Sequence, residues 1–220
     1  MRSKPSVVND EVHIEMTAGQ HAPRPGWPAE CPDRLRLPLS FDPGLLAADL
    51  ASLSATPWID HFVKQNYEGS WSVIPLRSSA GARHPVRMIY SDPTATAFED
   101  TPMLAECPYF RNVLASLACP LHAVRLMRLT PGSIIKEHTD LDLRFEQGSV
   151  RMHIPVITNE NVEFELNRRR VILEAGSCWY LRLSDPHRVA NRGDTDRVHL
   201  VIDAAVNDWV ASLFSAAMAG

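Results

Sequence analysis

With 220 residues, 45% of them hydrophobic and 22% charged, the chain has the size and composition of one globular domain, which excludes a fibre or a disordered polymer. A formal charge of -4 leaves no electrostatic footprint for nucleic acid, and no apolar stretch is long enough to cross a bilayer. The four cysteines, Cys31, Cys107, Cys119 and Cys178, form no C-x-x-C pair, and no apolar signal core follows Met1, so reduced thiols and a cytoplasmic location are expected.

Met1 to Asp33 carries Pro23, Pro25, Pro28 and Pro32 among polar residues without an apolar period, and is expected to be a flexible arm ahead of one domain over 34–220. Arg34 to Leu39 alternates as a half-buried strand does. Asp42-Pro43 reads as a helix start, a carboxylate capping free amides before a proline at the first helical position. Leu45, Leu46, Leu50 and Leu53 follow at helical spacing, and the helix should end before Pro57. Tyr109 to Leu117 predicts a second helix, with Phe110, Val113, Leu114 and Leu117 on one face. Between Pro57 and Tyr109 the pattern assigns no element.

From Leu121 the texture changes to short apolar or alternating runs broken by Pro, Gly, Asn and Asp. The predicted strands are Ala123–Leu129, Ile134–Thr139, Ser149–Ile157, Val162–Leu166, Arg170–Leu173, Cys178–Leu183, His187–Ala190 and Arg197–Asp203. Eight short strands over a core of 121–203, with flanking helices, suit a mainly β jelly roll. Arg168-Arg169-Arg170, the one basic run, reads as a solvated hairpin tip. Asn207 can cap a last helix, Trp209–Ala217.

Side chains at i and i+2 of a strand share a face, so His138 and Asp140 can present an imidazole nitrogen and a carboxylate oxygen side by side. A second histidine would complete a two-His, one-carboxylate set that suits iron(II) and leaves positions open for a 2-oxo acid and dioxygen. His187 is the candidate. With Asn191 to Asp194 as a tight turn, His187 is expected to pair across a hairpin with Arg197 to His199. Arg197 could then grip the distal carboxylate of 2-oxoglutarate with two parallel charged hydrogen bonds. Arg151 and His153 share one face of their strand, and an inward-facing Arg needs a counter-charge, which an anionic cosubstrate would supply.

From about Val124 to Asp203 the chain resembles the aspartyl/asparaginyl β-hydroxylases and their bacterial proline hydroxylase relatives. The resemblance rests on Pro131-Gly132 ahead of His138, on Arg151-Met152-His153, on Gly176 with Trp179, on His187 and Asn191, and on Arg197 leading into Leu200-Val201-Ile202-Asp203. It implies a double-stranded β-helix, cupin-like, with iron at His138 and His187, 2-oxoglutarate at Arg197, and Arg151 with His153 near its other end. Two departures stand out. The mammalian type has Gly where this chain has Asp140, and a cosubstrate-binding Ser where it has Met127.

Other residues keep two readings. His199, in phase with Arg197, could enter the pocket with Met127 and Trp179 or make a surface hydrogen bond; Trp179, like Phe164, also fits a core position. Trp58, Trp71, Arg77 and Arg87 could form a substrate wall with an Arg for a carboxylate, or be packing aromatics and solvated arginines. The resemblance implies an iron(II)- and 2-oxoglutarate-dependent dioxygenase that uses O2 to hydroxylate an amino acid, free or within a peptide. Desaturation or cyclisation at the same site, and a non-catalytic cupin-like ligand-binding protein, are the alternatives. The oligomeric state is not legible.

Overall fold

The structure, a computed structural model, describes residues 26–92, 94–141 and 143–220. The expected arm falls outside the described residues as far as residue 25. From Gly26 to Asp33 the chain is docked rather than loose: Cys31 is buried, Trp27 packs on Phe145, and its indole nitrogen donates to Asp208. Burial explains why a proline-rich stretch is held here.

The strands, in chain order, are β1 (Arg34–Ser40), β2 (Ile59–Asp60), β3 (Tyr67–Glu68), β4 (Trp71–Ser79), β5 (Phe98–Asp100), β6 (Leu121–Leu129) and β7 (Ile134–His138), followed by β8 (Ser149–Ile157), β9 (Val162–Leu166), β10 (Arg169–Val171), β11 (Ser177–Leu181), β12 (His187–Asn191) and β13 (Arg197–Ala205). The helices are α1 (Pro43–Ser52), α2 (Pro85–Ile89), α3 (Pro102–Ala105), α4 (Pro108–Ala115) and α5 (Asp208–Ala219). One sheet runs β1-β11-β8-β13-β6-β4-β2, with β5 also on β4; the other runs β10-β9-β12-β7-β3. The paired strands are antiparallel, which gives the jelly roll expected from the sequence. Both anticipated caps are present. The Asp42 carboxylate accepts from Gly44 N at 2.8 Å and Leu45 N at 3.1 Å, and the Asn207 side chain accepts from Val210 N at 3.0 Å.

The larger sheet is buried on both faces, and the alternation of its strands divides the residues between two tasks. Val124 and Leu126, Val150, Met152 and Ile154, and Val198, Leu200 and Ile202 pack outward against Leu46 of α1, Phe110 of α4 and Phe214 of α5. Their neighbours Met127, Leu129 and Val201 point the other way, into a second core between the sheets with Phe164, Leu166 and Val189. The same inward phase carries Arg125, Arg151, His153, Arg197, His199 and Asp203, all buried. The helices supply the apolar core on one face, so the other is free to carry charge.

Two expectations change. First, β12 and β13 do not form a hairpin: β12 pairs with β7 and β9, whereas β13 pairs with β6 and β8. The turn carries the chain from one sheet to the other, a connection whose sequence signature matches that of a hairpin. Second, β4 is a long buried strand where none was assigned. Pro75 argues against a central strand, but the register shifts between Pro75 and Arg77, and such an irregularity tolerates the missing amide. The Arg168 run lies at a hairpin tip as expected, with Asn167 and Arg168 both left-handed (φ 51 and 60) in the turn between β9 and β10.

Gly176 joins β11 to the start of α1: its carbonyl accepts from Phe41 N at 2.9 Å, its φ is +77, and a Cβ there would lie 2.2 Å from Phe41 O. Gly176→Ala should therefore cost about 1–3 kcal/mol for the left-handed backbone alone. The check is a lower urea midpoint with an unchanged slope.

Candidate active site

The sheets enclose a cavity of about 730 Å³ whose walls include His138, Asp140, His187, Arg151, His153 and Arg197. His138 ends β7 and His187 opens β12, and the two are register partners with ring centroids 4.3 Å apart. Asp140 lies just past the strand end, where its amide donates to Leu183 O at 2.8 Å. Its carboxylate Oδ1 is 3.6 Å from His138 Nε2. One ligand atom from each of the three residues lies within 4.8 Å of the others.

The imidazoles are set up as ligands by their other nitrogens. His138 Nδ1 is 2.8 Å from Lys136 O, and His187 Nδ1 is 3.0 Å from Asp185 O. A carbonyl only accepts, so each ring keeps its proton on Nδ1 and carries a lone pair on Nε2, the tautomer a metal needs. Burial pulls the His187 imidazole down to about 4, which keeps it neutral. Two imidazoles and one carboxylate converging on a point fit a divalent first-row metal with open positions.

Arg151 already has its counter-charges inside the protein, which corrects the expectation that it needs an anionic cosubstrate. It donates to Asp203 through Nε at 2.6 Å and Nη2 at 3.0 Å, and to Asp140 Oδ2 through Nη1 at 2.6 Å. Arg125 pairs with the same Asp203 and donates to Ile89 O at 3.0 Å and Ser91 Oγ at 2.8 Å. Burial alone would raise the Asp203 carboxyl, but the two guanidiniums override it and hold it well below the usual carboxylate range. Its contribution to stability is present above the unfolded value near 4 and is lost as pH falls below that. Asp203→Asn should be less stable at neutral pH and should lose about 1 kcal/mol less than wild type between pH 5 and 3. Unfolding midpoints across that range are the measurement.

Arg197 is different. It is 2% exposed, and among the described residues no carboxylate pairs with it. Its Nη2 lies 2.8 Å from His199 Nδ1, its Nε has no partner, and its guanidinium sits 5.9 Å from the Phe164 ring, which in turn stacks near His187. Desolvation lowers it to about 9, still charged at neutral pH. His187 and Arg197 thus line one cavity from different sheets, rather than pairing across a hairpin.

Of the remaining candidates, Met127 and Trp71 line the cavity, Trp71 stacking on His61 at 3.5 Å. His199 is fully buried behind Arg197 and is not a wall residue, so the surface reading is excluded. Trp179 packs beside the inter-sheet core opposite His153 and is not in the wall. Arg77 ties β5 to β6 through Asp100, Phe98 O and Leu121 O, and Trp58 lies under the Arg128 guanidinium. Neither reaches the cavity, because Arg77 sits after the bulge and Trp58 packs against the helix-side core. The sequence reading missed Arg125 and Asp203, although each is in phase with an inward residue of a predicted strand, Met127 and Arg197. Ser91 comes from the unassigned region and gave no signal, while His61, which the sequence gives as a surface or packing residue, stands in the cavity wall.

A sequence model of the aspartyl/asparaginyl beta-hydroxylases matches residues 46–206. The chain belongs to that family. It is 25% identical over 167 residues to the L-proline cis-4-hydroxylase of Rhizobium meliloti (strain 1021), covering 75% of this chain and 58% of that protein. It is 24% identical over 170 residues to L-proline cis-3-hydroxylase 2 of a Streptomyces species, covering 76% and 58%. The chain therefore spans less than two thirds of the length of these two proline hydroxylase relatives. Among solved structures, the non-heme alpha ketoglutarate dependent epimerase SnoN from nogalamycin biosynthesis shares the fold, with a TM-score of 0.52 and 12% identity over 78% of this chain and 77% of that one.

Proposed function

We propose that this chain is an iron(II)- and 2-oxoglutarate-dependent hydroxylase of an amino acid, free or within a peptide. His138, Asp140 and His187 would hold the metal. Arg197 would take the distal carboxylate of 2-oxoglutarate, with His153 beside it. The observation that carries the reading is Arg197 itself. A buried guanidinium without a counter-charge works against folding, so its presence in the wall that also carries the three ligands marks a place for an anion.

When bound, iron(II) and 2-oxoglutarate supply the oxidising chemistry: with O2, the 2-oxo acid becomes succinate and carbon dioxide while one oxygen enters a substrate C–H bond. The protein orients and excludes water. With Asp140 as a metal ligand, the corner formed by Arg125, Arg151 and Asp203 would carry two positive charges and one negative. The surplus suits a substrate carboxylate, while Trp71, Met127 and Ile89 offer an apolar wall for its side chain. The relatives' substrate, L-proline, has that character.

The test is to incubate the iron-loaded chain aerobically with 2-oxoglutarate and a panel of free amino acids and Asp-, Asn- or Pro-containing peptides. Mass spectrometry should find a product heavier by one oxygen, with matching succinate. A product lighter by two hydrogens would instead indicate desaturation or cyclisation. Ligand binding without succinate would favour the non-catalytic reading.

A further inference from the structure

We infer that His199 is a positioning residue that aims the Arg197 guanidinium into the cavity while leaving its charge uncompensated; the inference rests on the reading of Arg197 as the cosubstrate clamp. The two residues stand at i and i+2 on β13, facing the same way, with Arg197 Nη2 2.8 Å from His199 Nδ1. Both are fully buried. Among the described residues the other two buried arginines, Arg125 and Arg151, share Asp203. At the equivalent place beside Arg197 the chain has an imidazole.

The hydrogen bonds fix which imidazole this is. Arginine only donates, so His199 Nδ1 must be the acceptor, and the ring keeps its proton on Nε2. His153 Nδ1 lies 3.3 Å from the same nitrogen, a longer contact that competes with Arg197 for its single lone pair. Arg197 is thus the close partner of His199 Nδ1, which holds the guanidinium through one of its five N–H groups. Burial, and then the Arg197 charge, keep His199 neutral by lowering it well below the usual histidine value.

The physical difference from a carboxylate is one of charge, not of geometry. An aspartate or glutamate at this position would orient Arg197 equally well but would cancel it, leaving a neutral pair that gains nothing from a second carboxylate. A neutral acceptor fixes the rotamer and reserves the positive charge for the ligand. An apolar side chain would do neither.

Three variants separate these roles: His199→Glu, His199→Gln and His199→Leu. Each would be titrated anaerobically with 2-oxoglutarate as the iron-loaded protein, and each melted without 2-oxoglutarate. The Glu variant should melt at or above wild type, because Arg197 gains a partner, yet bind 2-oxoglutarate about a hundredfold more weakly. The Gln variant, which keeps a neutral acceptor, should stay within about threefold of wild type in affinity, and the Leu variant should lose about tenfold. A Glu variant that binds as wild type does, or Gln and Leu variants with equal affinity, would overturn the inference. If wild type itself does not bind 2-oxoglutarate, the functional reading fails instead, and the two failures cannot be confused.

Discussion

Replacing His187 by Ala is expected to abolish metal-dependent turnover while leaving a folded protein. The histidine opens β12 with its Nδ1 on Asp185 O and its Nε2 free, so the side chain is held for a ligand rather than for the core. A three-residue set that must keep positions open cannot lose an imidazole and still hold its metal firmly. Residues that merely orient ligands cost about 10–100-fold in metal affinity or activity when removed, and a direct ligand should cost more. His138→Ala should behave in the same way. Iron titration of both variants, read beside their far-ultraviolet circular dichroism, is the check, and wild-type iron affinity in either would remove that residue from the metal set. Asp140→Ala is the informative companion, since its carboxylate is shared with Arg151 at 2.6 Å. Loss of iron there would show that the ion pair orients a ligand rather than replacing one.

The Arg197→Ala variant should raise the half-saturating 2-oxoglutarate concentration by about one to three orders of magnitude. Truncating one partner of a buried, hydrogen-bonded charge pair costs about 2–5 kcal/mol, and each 1.4 kcal/mol is about tenfold. Iron affinity should hardly change, because the residue is not among the three converging ligands. Arg197→Lys should resemble Ala more than wild type, since an ammonium cannot give the two parallel bonds of a guanidinium. Melting temperature should run the other way. The wild-type guanidinium is desolvated without a counter-charge, so removing it should not lower the unfolding midpoint. Unchanged 2-oxoglutarate binding with a lowered midpoint would make Arg197 structural.

How much of this was legible in the sequence depended on whether a residue's environment is local. Strand alternation placed β8 and β9 at their observed ends, and the caps Asp42 and Asn207 were readable because each satisfies amides two or three residues away. The metal candidates were readable from residue type, but the geometry behind them was not. His138 and Asp140 converge because a strand end and a turn are tied to Leu183 O, not because they share a regular strand. The hairpin argument brought His187 and Arg197 together for the wrong reason: turn residues reveal that the chain reverses, not which sheet it enters. The partners of Arg151 were hidden as well, since Asp203 lies 52 residues away and meets it only through the β8–β13 register. His61 and Ser91 sit on loops whose positions follow from the whole fold.

Alternate residues of β13 serve different masters, and this constrains how the protein can change over evolutionary time. Val198, Leu200 and Ile202 belong to the helix-backed core, while Arg197, His199 and Asp203 belong to the cavity. A one-residue insertion or deletion in that strand exchanges the sets, driving two charges and an imidazole into oil and greasing the catalytic chamber in a single step. Point substitutions at inward apolar positions such as Met127 leave the helix-backed core as it was. The architecture is thus brittle to indels and permissive to substitution, so new substrate preferences can arise one residue at a time within a length that is frozen.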